Sequence, residues 1–174
     1  GCNGCHSPMA HMAGDVPPPR PEKNSRANEA VSCEVCHSIN GFAGDVPHNF
    51  NYISTPGVVK YGPRAGKTSP VHQTEQSVFI QTAEFCGTCH NEKSPYGVWV
   101  KATHLEWKEG PYAKEGVRCQ DCHMTRPEGQ VATVAEKVPD ARQHLFHGAH
   151  DNGKVRGTIE LRIHPTDREV EPGD

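Results

Sequence analysis

Apolar positions along the 174 residues form short patches rather than long stripes. Ser69-Pro70 has the order of an N-cap followed by proline at the first helical position. It predicts a helix that carries His72 and runs through Gln76-Ser77-Val78-Phe79-Ile80 toward Cys86. Thr103-His104-Leu105-Glu106 has the Thr-x-x-Glu spacing of a capping box, which predicts a helix over 104–114 with His104 exposed on it. Further helices are expected to lead into the cysteines at 33, 86 and 119. Ile159, Leu161 and Ile163 alternate with polar residues, which predicts a strand over 155–163, paired with 130–134.

Between these patches the chain reads as loop. Gly14 to Asn24 contains Pro17-Pro18-Pro19-Arg20-Pro21, a stiff extended surface linker. Residues 41–67 are rich in Gly and Pro and carry Phe42, Phe50, Tyr52 and Tyr61. The expected fold class is mainly α-helix and loop with few short strands. Residues 1–150 form one domain, and 151–174 a short strand and tail packed on it.

Composition then complicates this picture. Only 34% of residues are hydrophobic and 6% aromatic, against about 45–50% apolar in ordinary globular chains on a set that counts Gly. Such a chain buries a thin core for its length. Yet it holds 8 Cys and 12 His. The net charge of −3 gives no basic footprint for nucleic acid, and no apolar run nears the roughly 18 residues of a membrane span.

All eight cysteines fall into one repeated pattern, C-x-x-C-H. The pairs are Cys2 and Cys5 before His6, Cys33 and Cys36 before His37, Cys86 and Cys89 before His90, and Cys119 and Cys122 before His123. Disulfides would not demand a His after every second Cys. Zinc sites would not demand it either, and a thioredoxin-type C-x-x-C would occur once. The pattern is that of covalent c-type haem attachment: two thiols add to the vinyl groups of one porphyrin, and the next residue, His, ligates the iron. Four such haems are expected. Their apolar faces, worth roughly 25 cal/mol per Å² buried, would replace the missing hydrophobic core as a haem stack.

The second axial position of each iron needs its own ligand. Three Met cannot serve four haems, whereas eight His remain outside the motifs. Bis-His ligation is therefore expected throughout, which lowers potential and closes the iron to substrates. The favoured distal ligands are His11, His72, His144 and His150. His48 and His147 are the alternates. His11 follows His6 too closely to cross its own haem, so it is expected to serve another.

Ala83-Glu84-Phe85-Cys86-Gly87-Thr88-Cys89-His90-Asn91, Glu106-Trp107-Lys108-Glu109-Gly110-Pro111-Tyr112-Ala113 and Gly116-Val117-Arg118-Cys119-Gln120-Asp121-Cys122-His123-Met124 resemble the tetrahaem cytochrome c-554 family and its multihaem relatives. So do Val31-Ser32-Cys33-Glu34-Val35-Cys36-His37 and the run from His144 to His150. In that family the His of Ser-Pro-x-His and the outer His of H-x-F-x-G-x-H are ligands, which implies His72, His144 and His150. His147 fills the position between Phe146 and Gly148 of this run and is a further candidate beside His144 and His150, and one family member keeps an open distal site. The compact tetrahaem form is also similar to extracellular cytochromes that polymerise into conductive filaments (nanowires). There a His just after the first motif ligates a haem of the next subunit, the place His11 occupies here.

These readings imply an electron carrier rather than an enzyme, polymerised with itself and exchanging electrons with other cytochromes or extracellular acceptors. Its expected location is extracellular or at the cell surface, since haem is attached to exported chains; no signal segment opens the sequence. The alternatives are a soluble periplasmic shuttle and a small multihaem oxyanion reductase with one open haem. No Gly-rich phosphate loop or nucleophile elbow is present to suggest other catalysis.

Overall fold

The computed structural model describes residues 3–15, 29–156, 158 and 160–162. Cys2, most of the proline-rich linker, and residues 157, 159 and 163 of the expected strand at 155–163 lie outside them. The chain divides into two compact units, Gly1–Gln120 and Asp121–Asp174.

The first unit opens with two short helices, α1 (Asn3–His6) and α2 (Pro8–Met12), the latter entered through a proline at its first turn. A helix–hairpin arrangement then appears twice. Helix α3 (Cys33–Ser38) turns at Ile39 straight into strand β1 (Ile39–Phe42), which pairs antiparallel with β2 (Tyr52–Ser54). Between them come β3 (Val59–Gly62) and β4 (Gln73–Gln76), a parallel pair, and a 3-10 turn at Phe79–Gln81. Helix α4 (Ala83–His90) likewise turns at Asn91 into β5 (Asn91–Lys93), antiparallel to β6 (Trp99–Ala102). Both hairpins carry a register shift within the ladder, which adds local twist. Gly97, at φ 81°, makes the tight turn of the second hairpin, a conformation that favours glycine. Helices α5 (Thr103–Glu109) and α6 (Pro111–Lys114) follow.

Helix α7 (Cys119–His123) crosses the division between units. The second unit continues with β7 (Gly129–Gln130) paired to β8 (Lys137–Val138), and α8 (Asn152–Val155). Among its described residues Ala141 is buried, and its N–H donates to the Pro127 carbonyl at 3.0 Å.

Three expectations fail here. No helix starts at Ser69-Pro70: the Ser69 hydroxyl accepts the Val71 N–H, and 73–76 become β4 against β3. The helix over 104–114 is two helices, because Gly110 is extended and Pro111 starts afresh. The strand over 155–163 is replaced at its start by α8, and β7 finds its partner at 137–138, not beyond 155.

Among the described residues the buried hydrophobic side chains are few, and three of the five are alanines: Ala10, Val35, Ile39, Ala83 and Ala141. Others, including Val71, Val78, Tyr96 and Val134, are exposed. Buried polar side chains take over part of the packing. Asn91 is fully buried, and its Oδ1 accepts from the N–H groups of His104 (3.1 Å) and Leu105 (3.3 Å). Its Nδ2 donates to the Pro47 carbonyl (3.0 Å) and to Nδ1 of His104 (3.3 Å). Asn91, from the strand after α4, thus caps α5. The expected Thr103 capping box is absent, since Thr103 already lies inside the helix.

His104 is only 2% exposed, against the expectation of an exposed helix residue. Its ring lies against Gly87: a Cβ there would stand 2.8 Å from Pro47 Cγ and 2.9 Å from His104 Cγ. Trp107 covers it at 5.5 Å between ring centroids. Burial holds its pKa below the usual 6.5.

Gly87→Ala should destabilise the protein by about 1–3 kcal/mol despite alanine's better helix propensity, because neither ring can move aside freely. Asn91→Ala should cost more, on the order of 3 kcal/mol, by orphaning two N–H groups and a carbonyl. Denaturant midpoints of both variants measure this. Acidification supplies a second check. Below pH 6.5 the unfolded chain gains a proton at His104 that the native state resists, so stability falls as pH falls. His104→Gln should show a smaller loss between pH 7.5 and 5 than the parent.

Candidate haem-binding site

Each attachment motif is built on a short helix. Cys5 and His6 sit on α1, Cys33, Cys36 and His37 on α3, Cys86, Cys89 and His90 on α4, and Cys119, Cys122 and His123 on α7. In the second, third and fourth motifs one helical turn spaces the two thiols, and the histidine follows them on the same helix. None of the seven described cysteines is in a disulfide.

The third motif is where the thiols of the first unit meet. The Cys5 thiol hydrogen-bonds Cys89, which pushes Cys5 up and lowers Cys89 to about 7. Cys86 is raised by its hydrogen bond with Cys119 and by burial. Cys36 is raised mainly by burial, and its charge acts on both Cys86 and Cys89. Cysteines from the first, second and fourth motifs thus lie around those of the third.

The elements that hold the motifs are polar. On α3, Glu34 pairs with Lys60 of β3 at 2.5 Å, and that hydrogen bond lowers its carboxyl pKa. Thr88 in the third motif is buried and donates to Phe85 O at 2.7 Å. Before α7, Arg118 reaches the Gln81 carbonyl at 3.2 Å, while Gln120 donates to those of Thr82 (2.7 Å) and Ile80 (3.3 Å). In the second unit Asp121 receives Arg142 at 2.9 Å and Arg126 at 3.5 Å.

Two motif histidines show how they would present themselves to a metal. His37 Nδ1 lies 2.6 Å from the Tyr61 carbonyl, and His123 Nδ1 meets the carbonyl of His147. A carbonyl only accepts, so Nδ1 carries the proton and Nε2 keeps its lone pair. That backbone contact is the usual outer support of a ligating imidazole. With the described thiols in no disulfide, and one turn apart in the last three motifs, these residues fit a covalently attached haem. Loaded with haem, Nε2 of each motif histidine would be the proximal ligand, and the iron would supply one-electron chemistry.

The expected distal histidines are scattered. His11 is exposed on α2. His72 is exposed in the bend before β4, not on the helix expected for it, and its Nδ1 donates to Gln73 O at 3.0 Å. His144 and His150 are exposed, His144 edge-on to Phe146 at 6.1 Å. Phe146 holds φ at 48°, a strained value for an aromatic residue. His147 is half-buried and pairs with Asp151 at 2.5 Å; Asp151 caps α8, and its backbone hydrogen bonds hold its carboxyl pKa down. His48 is half-buried, edge-on to Trp99, and its Nδ1 accepts the Phe50 N–H at 3.2 Å. Among the described residues, no three His, Cys, Asp or Glu side chains gather as one metal cluster.

Asn91 and His104 escaped the sequence reading. The signal was the capping-box spacing, which pointed to Thr103 and outward, whereas the cap comes from thirteen residues upstream.

Among the described residues no helix is long and apolar enough to cross a membrane. No solved structure matches the chain. A family model described as NapC/NirT cytochrome c family, N-terminal region, matches residues 52–166. The matched stretch holds the third and fourth motifs and supports the broader part of the sequence reading. The chain belongs to the NapC/NirT cytochrome c family, and is a multihaem electron-transfer protein with covalently bound c-type haem.

Proposed function

We propose that the chain binds four c-type haems, each with two histidine ligands, and relays electrons along them without catalysing a reaction of its own. The observation that carries this is the fourfold C-x-x-C-H motif, on helical turns in its last three copies, with Nδ1 of His37 and His123 given to carbonyls. Bis-His ligation leaves the iron no open position and favours low potential. His6, His37, His90 and His123 are the proximal ligands; His11, His72, His144 and His150 are the distal set. The paucity of buried apolar side chains, beside many exposed ones, supports a haem stack in place of the core.

The relay extends beyond one chain in this reading. His11 is exposed on a helix that follows the first motif directly, which supports ligation of a haem in a second copy. A homopolymer outside the cell, passing electrons to other cytochromes or to extracellular acceptors, follows.

Protein matured in a host that attaches haem should show four haems per chain by intact mass and pyridine haemochrome, all low-spin and inert to carbon monoxide when reduced. Fewer haems would overturn the count, and carbon monoxide binding would favour the reductase. Negative-stain images should show thin unbranched fibres; discrete particles would replace the filament by a periplasmic shuttle.

A further inference from the structure

His104 is buried, lies against the third attachment helix at Gly87, and has one ring nitrogen, Nε2, without a hydrogen-bond partner. A buried polar atom left unpaired is destabilising, so Nε2 calls for a partner. The surroundings fix which nitrogen carries the proton. Asn91 Oδ1 receives two backbone N–H groups, from His104 and Leu105. Turning that amide over would set its NH2 against both of them and against nothing that accepts. Nδ2 therefore faces Pro47 O and Nδ1 of His104. Nδ1 must accept, and the neutral ring bears its proton on Nε2. The ring cannot turn freely, because it packs close to Gly87 on one side, Trp107 lies against it, and Asn91 holds its Nδ1. Trp107 is itself held by its Nε1–H to Val117 O at 2.9 Å.

A haem offers two kinds of partner to an imidazole. The iron takes a nitrogen lone pair, whereas the propionate oxygens take an N–H. His104 presents an N–H. The geometry points to His104 as the hydrogen-bond donor to a haem propionate, and not as an axial ligand, with Asn91 as the positioning residue that sets its tautomer. The inference rests on the haem-bearing reading above and deepens it. The opposite pattern at His37, where Nδ1 donates to Tyr61 O and the proton is therefore not on Nε2, marks the ligand type within the same unit.

The test is a spectroelectrochemical titration of the haem-loaded protein and its variants. Parent protein without haem would overturn the functional reading itself, a result seen before any variant is compared. His104→Phe should keep every haem low-spin and six-coordinate, while the midpoint potential of one haem falls and the rest hold. The fall is expected because a propionate without its donor keeps more negative charge near the iron and favours the ferric state. His104→Gln should restore the potential, since its Oε1 can accept from Asn91 and its Nε2 can donate. A new high-spin, carbon-monoxide-binding haem in His104→Phe would make His104 an iron ligand and overturn the inference. Unchanged potentials would reduce it to packing and overturn it equally. If the Phe variant does not accumulate, nitrogen-15 NMR of the reduced, diamagnetic parent decides: a protonated Nε2 with bare Nδ1 is expected, and a bare or iron-bound Nε2 rejects it.

Discussion

One buried amide ties the third attachment helix to the helix that packs on it. Asn91 follows His90 directly, and its two ends satisfy four groups: two N–H groups at the start of α5, the Pro47 carbonyl and Nδ1 of His104. A chain with few apolar side chains inside cannot position a helix by burial alone. Directional hydrogen bonds do it here, and Gly87 lets the partners come close enough to form them. Polar side chains also anchor the second and fourth motifs. Gln120 and Arg118 bind carbonyls of residues 80–82 before α7, and Glu34 binds Lys60 beside α3. The third motif is held most completely, and thiols of three motifs gather around it.

The cofactor chemistry was legible in the sequence because it is local. Thiol spacing of three and an adjacent histidine require only one turn of backbone, and the second, third and fourth motifs supply that turn. Family membership agrees at the level of multihaem electron transfer. Element boundaries were less legible, since short-range signals competed with pairings that the sequence does not display. Ser69-Pro70 has helix-start chemistry, but 73–76 gain more by pairing with 59–62. The alternation at 159–163 suggested a strand, yet Asp151 accepts N–H groups from Gly153 and Lys154 and starts a helix nearby. The helix at 104 was found, but its cap was assigned to the wrong residue. A side chain thirteen positions upstream leaves no pattern in a four-residue window.

Counting histidines shows how many ligands a chain can offer, but not which nitrogen each one offers. That choice belongs to the hydrogen bond on the other side of the ring. A carbonyl at Nδ1 turns His37, His72 and His123 toward metal binding through Nε2, and Asp151 does the same for His147. An N–H at Nδ1 does the reverse to His48 and His104. His147 and His48, the two alternates to the favoured distal set, therefore part company on this criterion. His147 has the ligand's tautomer and a carboxylate behind it; His48 has the donor's. The His144–His150 run is also the place where the backbone is strained, at Phe146. Its residue 147 lends its carbonyl to the motif histidine His123. A carbonyl on Nδ1 stands on the side of the ring away from Nε2, and so away from the iron that Nε2 would bind. Residue 147 therefore supports the fourth motif from behind through its backbone, while its side chain is left for other work.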